Sequence, residues 1–288
     1  MATCVAAVSG PFVQLDSGSK SQFGTIKSKD ETPIAVECAG VGPNLLIVHG
    51  GMGDHTQWKP LFPLLASRFT VCAMDRRGHG ASGDSLEYAL QREAEDVAAV
   101  VNSRPDKIFV LGHSYGAVCA LEAAFLTNKI SKLVLYEPPL MESIDLAVVS
   151  RMEEMIKHGD REQALVTFLQ EIVTISPSEV AAMKARSSWP SLVVSIPSSI
   201  RQVRALADYR FDWKRLEMLS TPTLLLGGSE SAAHFRRAID ALRHSLPHSS
   251  LVIFKGQQHN AMDNVPQQFS EVVTRFLLGT EGTSTERD

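Results

Sequence analysis

The chain has few of the features that staple a small secreted domain or hold a metal. Four cysteines occur in 288 residues, Cys4, Cys38, Cys72 and Cys119. They form no Cys-x-x-Cys pair and no Cys/His cluster, which argues against a zinc site or a redox pair. Cys72 and Cys119 stand in apolar surroundings and are expected as buried free thiols, which suits a reducing compartment and a cytoplasmic location. Charge of one sign is also scarce. The formal net charge is −4, so no basic excess points to nucleic acid or an anionic membrane as partner. There is no run of about 18 apolar residues, so no membrane span is expected. Met1–Pro11 has no Lys or Arg before its apolar stretch and reads as a poor signal peptide. No internal repeat is found.

What remains is soluble-globular in kind, with 44% hydrophobic and 21% charged residues. A chain of this length can bury about three quarters of its unfolded surface, so it needs no disulfide or metal staple. Short apolar runs at Leu45–Val48, Thr70–Met74, Ile108–Leu111, Leu133–Tyr136, Thr223–Leu226 and Leu251–Phe254 read as buried parallel strands. Phe12–Leu15 and Ile34–Glu37 are weaker strand candidates for an antiparallel start. Helical spacing recurs over Gln57–Ser67, Tyr88–Asn102, Tyr115–Leu126, Phe235–Ser245 and Gln267–Leu278. The alternation implies βα units. It breaks from about Met141 to Glu217, where Leu146–His158, Arg161–Val173, Ser178–Arg186 and a region around Ile200–Ala207 are helical in pattern. Pro177, Pro190 and Pro197 punctuate that stretch.

The chemistry centres on Gly112-His113-Ser114-Tyr115-Gly116, which joins a predicted strand to a predicted helix and fits G-x-S-x-G. Such a turn strains the serine backbone and presents its hydroxyl, and the flanking glycines are needed where strand and helix leave no room for a Cβ. The serine also stands at a helix N-terminus, which favours developing negative charge. A chance match anywhere in the chain is expected only about 0.1 times from average Gly and Ser usage.

Three further segments follow in order: His49-Gly50-Gly51-Met52-Gly53, Asp75-Arg76-Arg77-Gly78-His79-Gly80-Ala81-Ser82, and Gln258-His259 after the last strand. With these the chain resembles the α/β-hydrolase superfamily from about Phe12 to Leu278. The resemblance implies a mostly parallel eight-stranded sheet flanked by helices, with a helical cap after the sixth strand. Residues 1–140 and 218–278 would form the core, 141–217 the cap and 279–288 a flexible tail. It further implies Ser114 as nucleophile, His259 as base, and as oxyanion donors the N–H of Tyr115 and one from the loop after the third strand, Gly51 first and Met52 as the alternative. His49 is expected to organise its loop, and Arg76, Arg77 and His79 to be solvated or packing residues. His113 should point away from the site, and His158, His234, His244 and His248 should lie at the surface.

The triad acid departs from the family pattern. Most members place an Asp shortly after the seventh strand, but Leu226-Gly227-Gly228-Ser229-Glu230 offers only Glu230. Glu137, at the end of the sixth strand, is the other candidate. Some superfamily hydrolases, including lactonases resembling the zearalenone type, carry their acid at that position. Pro138 and Pro139 would stiffen its loop. The expected activity is hydrolysis of a medium-sized hydrophobic ester or lactone, rising with pH as His259 loses its proton. The cap offers Met152, Met155, Ile156, Phe168, Leu169, Met183 and Trp189, and Met52, Met155 and Trp189 are the chosen pocket candidates. No metal and no cofactor is expected, since the nucleophile is a side chain. Carbon–carbon bond hydrolases, hydroxynitrile lyases and perhydrolases reuse a similar Ser/His pair, and a non-catalytic ligand receptor could keep the fold. Epoxide and haloalkane hydrolases are disfavoured because they carry Asp where Ser114 stands. The oligomeric state is not legible.

Overall fold

A computed structural model describes residues 21–140 and 144–279. The strands are β1 (Gln22–Lys27), β2 (Pro33–Ala39), β3 (Asn44–Val48), β4 (Thr70–Met74), β5 (Ile108–His113), β6 (Ile130–Tyr136), β7 (Thr223–Gly228) and β8 (Ser249–Phe254). They form one sheet in the order β1-β2-β4-β3-β5-β6-β7-β8. β2 runs antiparallel to both neighbours, and every pairing from β4 onward across the sheet is parallel. This is the α/β-hydrolase fold that the sequence leads one to expect.

The six clear strands form because side chains alternate between two cores. In β3, Leu46 and Val48 join one cluster with helices α2 (Leu90–Asn102), α3 (Tyr115–Ala123) and α8 (Ala233–Ser245). Leu45 and Ile47 join the opposite cluster, with α1 (Phe62–Ala66), α9 (Ala261–Asn264) and α10 (Pro266–Leu278). Both faces are covered, so the strands carry no polar alternation. β1 was not expected, because exposed and half-buried residues blur its pattern. The candidate Phe12–Leu15 lies outside the described residues. The expected helix Gln57–Ser67 is a short 3-10 turn, His55–Trp58, followed by the brief α1.

Between β6 and β7 come α4 (Leu146–Lys157), α5 (Arg161–Thr167), α6 (Pro177–Lys184) and α7 (Trp189–Asp208). They build a third apolar cluster of their own around Val149, Met152, Leu165, Leu169 and Ile196. Arg161–Val173 is not one regular helix: α5 gives way to a wider π-type turn over Phe168–Ile172. Pro177 and Pro190 do open helices. Pro197, however, lies inside α7. Burial of Ile196, Ile200 and Val203 along that helix overrides the lost N–H.

One further expectation fails. Cys72 is not a free thiol: it is bonded to Cys38, its direct partner in the antiparallel β2–β4 register, with Cα atoms 4.1 Å apart. Among the described residues only Cys119 is free, and it is buried. The cysteines therefore do not argue for a reducing compartment. Of the two readings of Arg76 and Arg77, solvated or packing, the structure favours packing, for both are fully buried. They are met by carboxylates on the inner face of α2, Arg76 by Glu93 at 2.9 and 3.0 Å and Arg77 by Asp96 at 2.6 and 2.7 Å. Arg77 also reaches Asp30 at 2.9 Å. No helix of the described residues is long and apolar enough to cross a membrane.

Removing one member of a buried ion pair leaves its partner uncompensated, whereas replacing both by apolar groups is tolerated. Arg77→Ala should therefore cost about 3–5 kcal/mol in urea unfolding, while Arg77→Met combined with Asp96→Leu should regain most of it. Equal losses in both variants would contradict the pairing.

Candidate active site

Ser114 lies between β5 and α3 with φ 53° and ψ −126°. A side chain rarely tolerates that region, and the turn is held from both sides. The Ser114 N–H donates to Tyr136 O at 2.8 Å, and its carbonyl accepts from Ala117 at 2.8 Å. The flanking glycines are required for space. A Cβ on Gly116 would stand 2.3 Å from His49 O, and one on Gly112 would stand 2.6 Å from the backbone of the 116–117 turn.

The loop after β3 is fixed by Arg76. Its Nε donates to His49 O at 3.0 Å and its terminal nitrogens reach Gly50 O at 2.9 Å. A trans peptide directs the next N–H opposite to its carbonyl, so capture of Gly50 O turns the Gly51 N–H away from Arg76. Gly51 and Tyr115 border the same chamber as Ser114. Met52 follows with φ 60° and lines the wider cavity beside it.

His259 follows β8, on a loop clamped at three backbone atoms. Tyr136 Oη donates to Gln258 O and accepts from the Ala261 N–H, and His113 Nε2 donates to His259 O at 3.0 Å. Its ring stacks on Phe235, with centroids 4.2 Å apart. Its Nδ1 lies 2.6 Å from Glu137 Oε2. Glu137 has no solvent exposure and a φ of 47°. Its other oxygen accepts the Gly228 N–H at 2.7 Å. Glu230 is exposed, and its carboxylate accepts from the neighbouring Ser229 hydroxyl. Of the two candidate acids, Glu137 is the one bonded to the imidazole.

Two histidines sit differently from expectation. His113 does not point away: its ring lies 4.5 Å from that of His259. His234 is half-buried, packs on Phe235 and borders the chamber at Ser114. Burial and the nearby His259 hold its pKa below the ordinary value. His158, His244 and His248 are exposed as expected.

A cavity of about 400 Å³ contains Ser114 and His259 and is bounded by Gly51, Met52, Leu169 and Met183. An inner chamber of about 80 Å³ adjoins the same serine. Met155 and Trp189 line neither. They pack within the α4–α7 cluster, because their helices turn those faces toward each other. The lining missed by pattern reading, Val173, Ile175 and Phe235 among it, comes from loops and from the start of α8. Among the described residues Asp54, His55 and Asp75 lie close enough together to hold a cation. Their oxygens already serve the loop: Asp75 accepts from the His55 and Ala81 N–H groups, and Asp54 from Thr56.

The sequence from residue 45 to 272 matches the model of the alpha/beta hydrolase family, and the chain belongs to that family. It is 32% identical to an alpha/beta hydrolase from Sphaerobacter thermophilus of known crystal structure, with a TM-score of 0.77 over 86% of this chain and 99% of that one. It is 27% identical to a pimeloyl-[acyl-carrier protein] methyl ester esterase of Aeromonas hydrophila, over 85% of this chain and 99% of the relative. A thermophilic esterase from Thermogutta terrifontis shares the fold, with a TM-score of 0.72 at 22% identity, over 91% of this chain and all of that one (100%). The protein is thus a hydrolase of the α/β type with esterases among its relatives.

Three imidazoles bind these loops together, each as a neutral ring with one donor and one acceptor. His49 donates from Nδ1 to Gly50 O and accepts the Arg76 N–H. His79 donates to Arg77 O and accepts from Gln202. His113 donates to His259 O and accepts from Gln57. Burial, helped by neighbouring positive charge, depresses all three, His79 to about 3. Each folded pKa lies below its unfolded value, so the unfolded chain binds more protons. The stability they contribute is complete above about pH 6.5 and is lost as the pH falls below it. Each ring should add about 1.4 kcal/mol per pH unit to that slope. Urea melts of His79→Gln between pH 6 and 5 should show a slope smaller by about one proton than wild type. An unchanged slope would mean the ring is charged in the fold.

Proposed function

We propose that the protein is a serine hydrolase that cleaves a carboxylic ester or lactone of a medium-sized hydrophobic molecule through an acyl-enzyme on Ser114. The observation that carries this reading is the 2.6 Å contact between His259 Nδ1 and the buried Glu137, beside a serine held at φ 53°. An ionised carboxylate only accepts hydrogen bonds, so Nδ1 carries the proton and Nε2 is left as the base. His259 takes the Ser114 proton as the hydroxyl attacks the acyl carbon, and returns it to the departing alkoxide. Water then repeats the sequence in reverse roles and frees the acid. The N–H groups of Tyr115 and Gly51 receive the charge on the carbonyl oxygen, each worth about 2.7–4 kcal/mol in comparable sites.

Glu137 stabilises the imidazolium and fixes its tautomer; Glu230 has no such part. Helices α4–α7 act as the cap, and Phe168, Leu169 and Met183 give the cavity its apolar roof. The methyl ester esterase among the relatives supports an ester as the scissile group.

A fluorophosphonate probe should label wild type and fail on Ser114→Ala, with His259→Ala labelled far more slowly. Glu137→Gln should lower kcat by about 10³–10⁴-fold while Glu230→Gln stays near wild type. Wild-type rates in Glu137→Gln with a collapse in Glu230→Gln would reverse the assignment of the acid.

A further inference from the structure

The loop after β3 is held from behind by a guanidinium with no donor to spare. An arginine side chain carries five N–H donors. In Arg76, Nε gives its proton to His49 O and Nη1 gives both of its protons to the Glu93 carboxylate. Nη2 divides its pair between Gly50 O at 2.9 Å and Gln202 Oε1 at 3.1 Å. His49, Gly50 and Glu93 belong to the first half of the core. Gln202 comes from α7, in the helical stretch between β6 and β7.

Gln202 is buried, at 2% exposure, and its amide is fixed at both ends. A guanidinium only donates, so the amide oxygen faces Arg76. His79 spends its one ring proton on Arg77 O, so its Nε2 accepts the Gln202 N–H at 2.8 Å. A Cβ on Gly51 would stand 3.6 Å from the same amide oxygen. Arg76 also lies over the ring of Tyr115, with Cζ 4.9 Å from the centroid. Gln202, Gly51, Ser114 and Tyr115 border one chamber.

The carbonyl of Gly50 and the N–H of Gly51 belong to one planar peptide, so neither can turn without the other. Without the Gln202 oxygen, one buried N–H of Arg76 would be left unsatisfied. That is costly enough to make the guanidinium shift toward another acceptor, and the Gly50–Gly51 peptide would follow. α7 makes two other polar contacts with the loop after β4, Ser198 Oγ to Gly78 O at 3.1 Å and Arg201 to Asp84 at 2.8 Å. Both of these bonds bypass Arg76.

We propose that Gln202 is a positioning residue for the reaction: through Arg76 it sets the Gly50–Gly51 peptide, and with it the N–H that receives the oxyanion. The helices over the site then do more than enclose the substrate, since one of them completes the support of the catalytic loop. This inference rests on the reading of Ser114 as nucleophile and Gly51 as an oxyanion donor.

The test compares wild type, Gln202→Met and Ser198→Ala, with p-nitrophenyl butanoate as substrate and two ketones as inhibitors. Met has nearly the length of Gln but only a weakly accepting sulfur. Ser198→Ala removes a different α7 bond and leaves Arg76 untouched. Trifluoromethyl hexyl ketone accepts Ser114 Oγ at its carbonyl carbon; the C=O electron pair becomes an alkoxide at the oxyanion position, and the proton passes to His259. Methyl hexyl ketone competes as the neutral ketone. Gln202→Met should lower kcat by about 10–100-fold, the effect of a small misplacement, with KM within about threefold of wild type. Its Ki for the trifluoromethyl ketone should rise by the same factor as kcat falls, and that for the methyl ketone should not move. Ser198→Ala should keep the wild-type kcat. Gln202→Asn, which keeps the amide but withdraws it by one methylene, gives the same comparison if the Met variant does not fold. Wild-type kcat in a folded Gln202 variant, a lost kcat with an unmoved trifluoromethyl ketone Ki, or an equal loss in Ser198→Ala would each overturn the proposal. If wild type hydrolyses no ester and takes no fluorophosphonate label, the hydrolase reading itself fails, and this inference with it.

Discussion

The bond between Glu137 and His259 is the contact on which the ends of three strands depend. Glu137 leaves β6 with a positive φ, one oxygen on the Gly228 N–H of β7 and the other on the imidazole that follows β8. An unpaired carboxylate with no solvent exposure would be too costly to keep ionised, so both donors are needed to hold it. Each donor is placed by a separate backbone clamp. Tyr136, the residue before Glu137, fixes Gln258 and Ala261 on either side of His259. The same Tyr136 accepts the Ser114 N–H on its carbonyl. One dipeptide at the end of β6 thus positions the backbone of the proposed nucleophile and both the backbone and the ring of the proposed base.

The proposed oxyanion side is tied to this centre by neutral polar groups rather than by exposed charge. Gly50 N–H donates to Gln57 Oε1, Gln57 Nε2 to His113 Nδ1, and His113 Nε2 to His259 O. That relay joins the loop after β3 to the loop after β8 beneath Ser114. Its polarity runs one way, so a proton added to His113 would set two donors against each other. Arg76 brings a charge to the same loop, where it is sealed by Glu93 and spends its remaining donors on backbone carbonyls and Gln202. A fixed and water-excluded donor set of this kind is what stabilises charge that appears only during reaction.

The six buried strands and the positions of Ser114 and His259 were legible because they depend on local rules. Apolar runs of four or five residues bounded by polar and turn residues read as buried strands, and the serine turn carries its own spacing. Glu137 was legible as one of two carboxylates, since an acidic residue straight after an apolar strand demands a partner. What escaped depends on tertiary approach. Nothing in Glu93 or Asp96 marks them as buried until Arg76 and Arg77 are seen to face α2. His113 and His234 carry no pattern that tells a packing ring from a surface one. Cys38 and Cys72 pair because β2 and β4 are neighbours, a fact of strand order and not of cysteine spacing. Trp189 and Met155 looked like pocket residues from size alone, and helix orientation decided otherwise.

The unusual placement of the acid is coupled to the glycines of β7. In a family whose common acid follows the seventh strand, β7 here ends in Gly227-Gly228, and Ser229 and Glu230 come next. A Cβ on Gly228 would stand 2.2 Å from Gln257 O, the backbone of the loop that carries His259. A Cβ on Gly227 would meet Ile239 at 2.7 Å and lie within 3.6 Å of Glu137 Oε1. With no side chain at Gly228, the His259 loop packs directly on its backbone, and the Gly228 N–H is turned to the β6 carboxylate instead. Glycine at the end of β7 and glutamate at the end of β6 thus share one packing arrangement, in which a side chain at Gly228 would displace the loop that presents His259.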